Sequence, residues 1–232
     1  MNKVLASLVP GTALIASILV VPAAPAVAAA RPVAVDAVAV SAVSADSTAK
    51  AVAASPARIT LDIKKVFQSD PLWCNPAGSS ISLGTMGISV SQRVLAKKMK
   101  TKAPAGTYDN VAVKVLNSYA ARKGYAYTLV YDVDDPAKLA ERVIHNVGVL
   151  RKAVPLQVYM RKLPWYKGQI SKGNPGHIIV AYGYNKKNKT IKVWDPYNYY
   201  FTGGTHTIKV KRLAKATQSV DNRAGMFYLD QR

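Results

Sequence analysis

The chain of 232 residues has one cysteine, three histidines and three phenylalanines, and its 12 acidic residues face 32 lysines and arginines. A single cysteine, Cys74, excludes an internal disulfide framework. With His145, His177 and His206 scattered and no tight ligand spacing, a structural zinc site is excluded unless carboxylates complete it, so neither a metal nor a cofactor is expected. There is no Walker-type phosphate loop. Zinc-finger spacing, an RNA-binding signature and a basic helix with a heptad tail are also missing, so the net charge of +20 does not indicate a specific nucleic-acid partner. Such a field attracts polyanions in general, and an anionic cell-wall polymer or a membrane surface is the class expected; a solvated surface without a specific partner is the plainer alternative.

What is present begins with a leader. Lys3 precedes the apolar stretch from Val4 to Val21, followed by the small residues Ala26-Val27-Ala28 and Ala28-Ala29-Ala30, the pattern of a secretory signal over residues 1–30. The mature protein is therefore expected to be extracellular, with wall association and no stable membrane insertion. An uncleaved anchor is the alternative, weakened by Pro10 and Gly11 inside the apolar run. Residues 31–57 alternate Ala, Val and Ser with too little bulk to close a core, and read as a flexible spacer or a pro-segment. Residues 58–232 then form one domain, expected to be monomeric.

Within that domain helices come first. Thr60 to Val66 reads as a short strand. Asn75-Pro76-Ala77 opens a helix that ends near Gly84 or Gly87, since proline suits a first turn. Further helices are expected over Ser91–Met99, from Asp109 to a stop at Gly124, and over Pro136–Val147. Strands are expected over Tyr125–Tyr131, Val154–Met160, Gly176–Tyr184, Thr190–Trp194, Thr205–Val210 and Met226–Leu229. The order implies an α+β fold, a helical half packed on an antiparallel sheet.

The lone cysteine sits just before a helix start, where unpaired N–H groups and the positive end of the dipole favour a thiolate; a buried core cysteine is the plainer reading. A thiol nucleophile needs a base. His145 lies mid-helix four residues after Glu141, where an exposed ion pair explains it, and His206 enters a late strand. His177 follows Asn174-Pro175-Gly176 and begins an apolar run, joined to Thr190–Trp194 by the hairpin loop Asn185–Lys189. A turn centred near Lys186 sets His177 opposite Asp195, which then orients the imidazole. Gln68, six residues before Cys74, is the candidate oxyanion donor, against the reading of a surface glutamine.

The stretch Val66 to Ala77 around Gln68 and Cys74, the segment Val90-Ser91-Gln92 through Thr101, Gly106-Thr107, Gly176-His177 and Trp194-Asp195-Pro196 resemble the peptidase domain related to the bacterial double-glycine-leader peptidases, of the papain-like superfamily. The resemblance spans roughly Ile59 to Tyr197. It implies Cys74 as nucleophile, His177 as base and then acid, Asp195 as its orienter and Gln68 as oxyanion donor. Asn75 departs from the glycine common at that position. Lacking a Walker loop, the chain resembles the free-standing secreted members rather than the exporter-linked ones. The expectation is a secreted cysteine peptidase or amidase acting on a peptide or protein substrate. An amine in place of water gives a transglutaminase-like acyltransferase. A non-catalytic envelope-binding module, with Trp165, Tyr166, Tyr197, Tyr199 and Tyr200 lining a cleft, is the alternative from another class.

Overall fold

A computed structural model describes residues 37–170, 172–199 and 201–232, with side chains from Asp46 onward; the expected leader lies outside the described residues. The alanine-rich segment read as a flexible spacer or a pro-segment is helical over Ala37–Ala54 (α1). Alanine loses almost nothing on entering a helix, and the exposed carbonyls at its carboxyl end are met by the Lys186 ammonium, which bonds Val52, Ala53 and Ser55 at 2.9, 3.2 and 2.7 Å. Lys186 lies just past the far end of a strand from His177, nine residues and up to about 30 Å away at ~3.3 Å per residue. The described contacts of α1 therefore leave the candidate catalytic residues uncovered.

Seven strands follow: β1 Arg58–Thr60, β2 Tyr125–Val130, β3 Val154–Tyr159, β4 Gly176–Asn185, β5 Thr190–Asp195, β6 Gly204–Lys209 and β7 Met226–Gln231. They form one antiparallel sheet in the order β2-β7-β3-β4-β5-β6, with β1 added to the end of β4. The expected strand from Thr60 to Val66 pairs only at its start. Helices α2 (Cys74–Gly84), α3 (Gln92–Lys98) and α4 (Asp109–Ala120) cover one face, over Phe227, Leu229, Tyr127 and Ile178. Helix α5 (Pro136–Val143), its π-helical continuation Ile144–Val149 and α6 (Val210–Ala214) cover the other, over Leu156, Ile179, Met226 and Tyr228. The sheet is thus buried on both faces, which explains why β3 is buried at every position rather than alternating.

Local chemistry fixes the ends of these elements. Ser91 caps α3 through Val94 N–H, Asp135 caps α5 through Ala137 and Lys138 N–H, and Gly124 turns the chain at φ 74°. Asp109, expected as a cap, is the first residue of α4 and bonds no capping N–H. His145 is not the exposed partner of Glu141: it is buried, accepting the Tyr228 hydroxyl at 2.7 Å, and burial pushes its pKa down.

Gly78 sets how closely α2 approaches β4. A methyl group there would meet Ile178 Cγ2 at 2.6 Å. Gly78→Ala is expected to lose about 1–2 kcal/mol, overpacking outweighing the gain in helix propensity. Urea unfolding checks this, and a companion Ile178→Ala change should recover part of the loss.

Candidate active site

Cys74 is the first residue of α2, preceded by Trp73, and no side chain caps that end of the helix. The Cys74 and Asn75 N–H groups therefore stay unclaimed and point out of the helix start. Asn75, the residue that departs from glycine, is buried and accepts the Ser79 hydroxyl at 3.1 Å.

His177 is the second residue of β4, and its register with β5 differs from the expected one. Near the turn the pairs are Asn185↔Thr190, Tyr184↔Ile191 and Gly183↔Lys192; beyond an irregularity they become Ala181↔Val193 and Val180↔Trp194. The turn is centred between Lys187 and Asn188, not at Lys186, and Tyr182 is the extra residue of a bulge. Continued from the turn without that bulge, the ladder would set Asp195 opposite Val180, on the other face from His177. The bulge restores parity. His177 and Asp195 then share a face as diagonal neighbours, and His177 Nε2 meets Asp195 Oδ1 at 2.8 Å.

The other imidazole nitrogen is left for Cys74, which lines the same cleft and lies near enough to raise the His177 pKa. The two approach each other round the end of β4, because α2 lies over the opposite face. His177 is 3% exposed and Asp195 0%. Asp195 also accepts the Tyr197 N–H at 2.9 Å on Oδ1, and Trp165 Nε1 at 2.8 Å and the Tyr166 hydroxyl at 3.0 Å on Oδ2. Burial works to raise the carboxyl pKa, but His177 and these donors bring it below the usual range. For His177 burial works downward, while charge on Asp195 and Cys74 raises it well above the ordinary imidazole value.

The alternative binding-module reading has Trp165 and Tyr166 lining a cleft. They instead sit on a short 3-10 turn (Pro164–Tyr166) behind the carboxylate, where Trp165 also stacks on His206 at 4.0 Å between ring centroids. Tyr197 meets His177 edge-on at 5.8 Å and packs against Tyr199; Tyr200 lies outside the described residues. No local signal links the turn to Asp195, some thirty residues on. Unusual aromatic density before β4 is the one hint.

Gln68 is 5% exposed, and its backbone N–H is tied to the Pro196 carbonyl at 2.8 Å. Its side-chain amide donates to the Asp70 and Pro71 carbonyls at 2.8 and 2.9 Å, which engages both amide hydrogens. Gln68 thus reaches the loop before Cys74, and in this geometry its amide hydrogens brace that loop rather than stand free for an oxyanion.

A cleft of about 460 Å³ opens between Cys74 and Asn75 on one wall and Gly176, His177 and Tyr197 on the other, with Asp109, Gln157, Gln218 and Arg223 completing it. Among the described residues no cluster of side chains has the makings of a metal site, and no helix is long and apolar enough to cross a membrane.

The model of the Peptidase_C39 like family matches residues 60–223, most of the chain and all four predicted site residues. The chain belongs to this cysteine-peptidase family. No curated protein sequence matches it. Among solved structures, a C39-like peptidase from Bacillus anthracis shares the fold at TM-score 0.52 and 12% identity, over 75% of this chain and 98% of that one. Xylellain, a cysteine protease from Xylella fastidiosa, aligns at TM-score 0.48 and 13% identity over 78% and 86% of the two chains. The peptidase domain of Streptococcus ComA, a bi-functional ABC transporter involved in quorum sensing, aligns at 0.45 and 17% over 72% and 97%.

The buried pair has a defined pH signature. The lowered Asp195 contributes stability above its unfolded value near ~3.9, lost as pH falls through the folded pKa; the raised His177 contributes below ~6.5, lost as pH rises through its folded pKa. Asp195→Asn should therefore cost most, about 3 kcal/mol, between about pH 4 and 6.5, and progressively less on either side. Denaturant unfolding of both proteins across that range measures it.

Proposed function

We propose that the protein is a secreted thiol hydrolase that cuts peptide or isopeptide bonds with Cys74 as nucleophile, His177 as acid and base, and Asp195 as orienter. The observation that carries this reading is the buried imidazole bonded to a fully hydrogen-bonded carboxylate, in the same cleft as the thiol. The Cys74 thiolate attacks the scissile carbonyl carbon, and the resulting oxyanion is met by the Cys74 N–H at the uncapped start of α2. Imidazolium His177 gives its proton to the leaving amine as the C–N bond breaks, leaving a thioester. Neutral His177 then takes a proton from water as it attacks, and the acid product leaves with Cys74 regenerated. Gln68 keeps the loop before Cys74 in place. A binding module would gain nothing from burying a carboxylate under four donors behind a histidine.

Cys74 should alkylate rapidly with iodoacetamide well below pH 8, and His177→Ala should slow this and lower peptide hydrolysis about 10²–10⁴-fold. An ordinary thiol profile unchanged by His177→Ala would sink the assignment. Asp195→Asn should also move the alkaline limb of labelling downward, since burial then acts on His177 without its counter-charge.

The leader pattern and the basic excess support export and retention on an anionic wall polymer. Retention of the leader-free protein on isolated cell walls should be strong at about 0.05 M salt and lost at about 1 M, where screening shortens to ~3 Å. Retention that ignores salt would exclude an electrostatic origin.

A further inference from the structure

One polar group in the cleft has no partner. Gln157 lies on the central strand β3, opposite Ile178 and so one register step from the Val158↔His177 pair. It is 2% exposed, its side chain lines the cleft beside Cys74, and its Nε2 makes no hydrogen bond. A buried amide donor left unpaired on an interior strand of a sheet costs stability, and leucine at that position would not. Asp109, at the start of α4, lines the same cleft and lies near enough to feel the Gln157 amide dipole, but the two form no well-aligned bond. Burial raises the Asp109 carboxyl, with Gln157 and the rim residue Arg223 only partly opposing that. An unsatisfied donor thus stands beside an under-stabilised acceptor, at the floor of the same cleft as the thiol.

We infer that Gln157 and Asp109 form a substrate subsite for a primary amide side chain, glutamine or asparagine, within a residue or two of the scissile bond. This rests on the cleft being the substrate site proposed above. A primary amide is the side-chain group that accepts from Gln157 Nε2 through its oxygen and donates to Asp109 through its nitrogen, satisfying both at once. A carboxylate would face Asp109 with like charge. An ammonium would pair with Asp109 and leave Gln157 unpaired, and an aliphatic side chain would leave both so. Discrimination by a site with buried polar groups is strong because the wrong ligand strands them.

The test uses capped alanine hexapeptides carrying Gln, Glu, Lys or Leu at each inner position, titrated calorimetrically against Cys74→Ala so that binding is read without turnover. At one position Gln should bind about tenfold or more tighter than Leu, Glu or Lys. The preference should vanish in Cys74→Ala/Gln157→Leu and in Cys74→Ala/Asp109→Asn. Gln157→Leu should also melt higher than its parent by a few degrees, since it removes an unpaired donor from a buried strand. Equal affinity for the four side chains, no measurable binding, or a Gln preference that survives Gln157→Leu overturns the subsite. A melting temperature that falls with all peptides weakened alike does so too, as it marks a purely structural residue. The same peptides incubated with the Cys74 protein separate the two readings. Selective binding without cleavage would defeat the hydrolase and leave the subsite standing; cleavage without selectivity would defeat the subsite alone.

Discussion

A carboxylate with no solvent exposure must be matched by donors or surrender its charge, and Asp195 is matched four times over. Its partners come from β4, from the turn Pro164–Tyr166 and from its own chain two residues on. Burying that one charge therefore ties three separated stretches together. It also decides the chemistry: burial alone would make His177 a weak base, whereas a nearby fixed negative charge in a medium that screens poorly makes it a strong one. The aromatic donors Trp165 and Tyr166 serve both ends, since they exclude water from the carboxylate while satisfying it.

That pairing depends on a backbone irregularity. The ladder leaving the β4–β5 turn has the wrong parity to put His177 and Asp195 on one face, and the bulge at Tyr182 corrects it with a single extra residue. The second requirement is the approach of α2 to the opposite face of β4, which Gly78 permits by leaving Ile178 its space. A sheet covered on both faces would ordinarily keep groups on its two sides apart. Here the thiol and the imidazole meet because His177 is near the end of its strand and Cys74 is at the end of its helix, so both reach the same corner.

Most of this was legible in the sequence where the cause is local. The α2 start within a residue of Asn75, the stop at Gly124 and the strand from Gly176 follow from turn chemistry and periodicity. The His177–Asp195 pairing was reached from a hairpin centre that proved misplaced. It survived because the expected and observed registers differ at the strand ends by an even number, which preserves the face. Where the cause is long-range, the sequence was silent or misleading. Nothing near Trp165 and Tyr166 indicates a buried carboxylate thirty residues away. Lys186 converts a segment that looked like a spacer into a capped helix, and Tyr228 on the last strand draws His145 into the core. Gln68 was placed correctly beside the loop of the nucleophile, yet the direction of its amide depends on two backbone carbonyls whose positions no spacing rule supplies.

The polar residues of the cleft divide by how well they are satisfied. Asp195 is saturated with partners and holds His177 through one of them, which on the proposed function fixes the pair before any substrate arrives and spares the reaction the cost of arranging it. Gln157, on the adjoining strand, has a buried donor without a partner, and Asp109, at the start of α4, has a carboxyl that burial raises and Gln157 and Arg223 only partly stabilise. A saturated group can polarise or shuttle a proton but has nothing left with which to select; an unsatisfied one can select because a ligand that fits relieves a standing penalty. Both kinds of group line the same cleft, so on the proposed function catalysis and recognition draw on the same burial. The saturated carboxylate makes that burial useful through charge, and the unpaired amide makes it useful through the hydrogen bond it withholds.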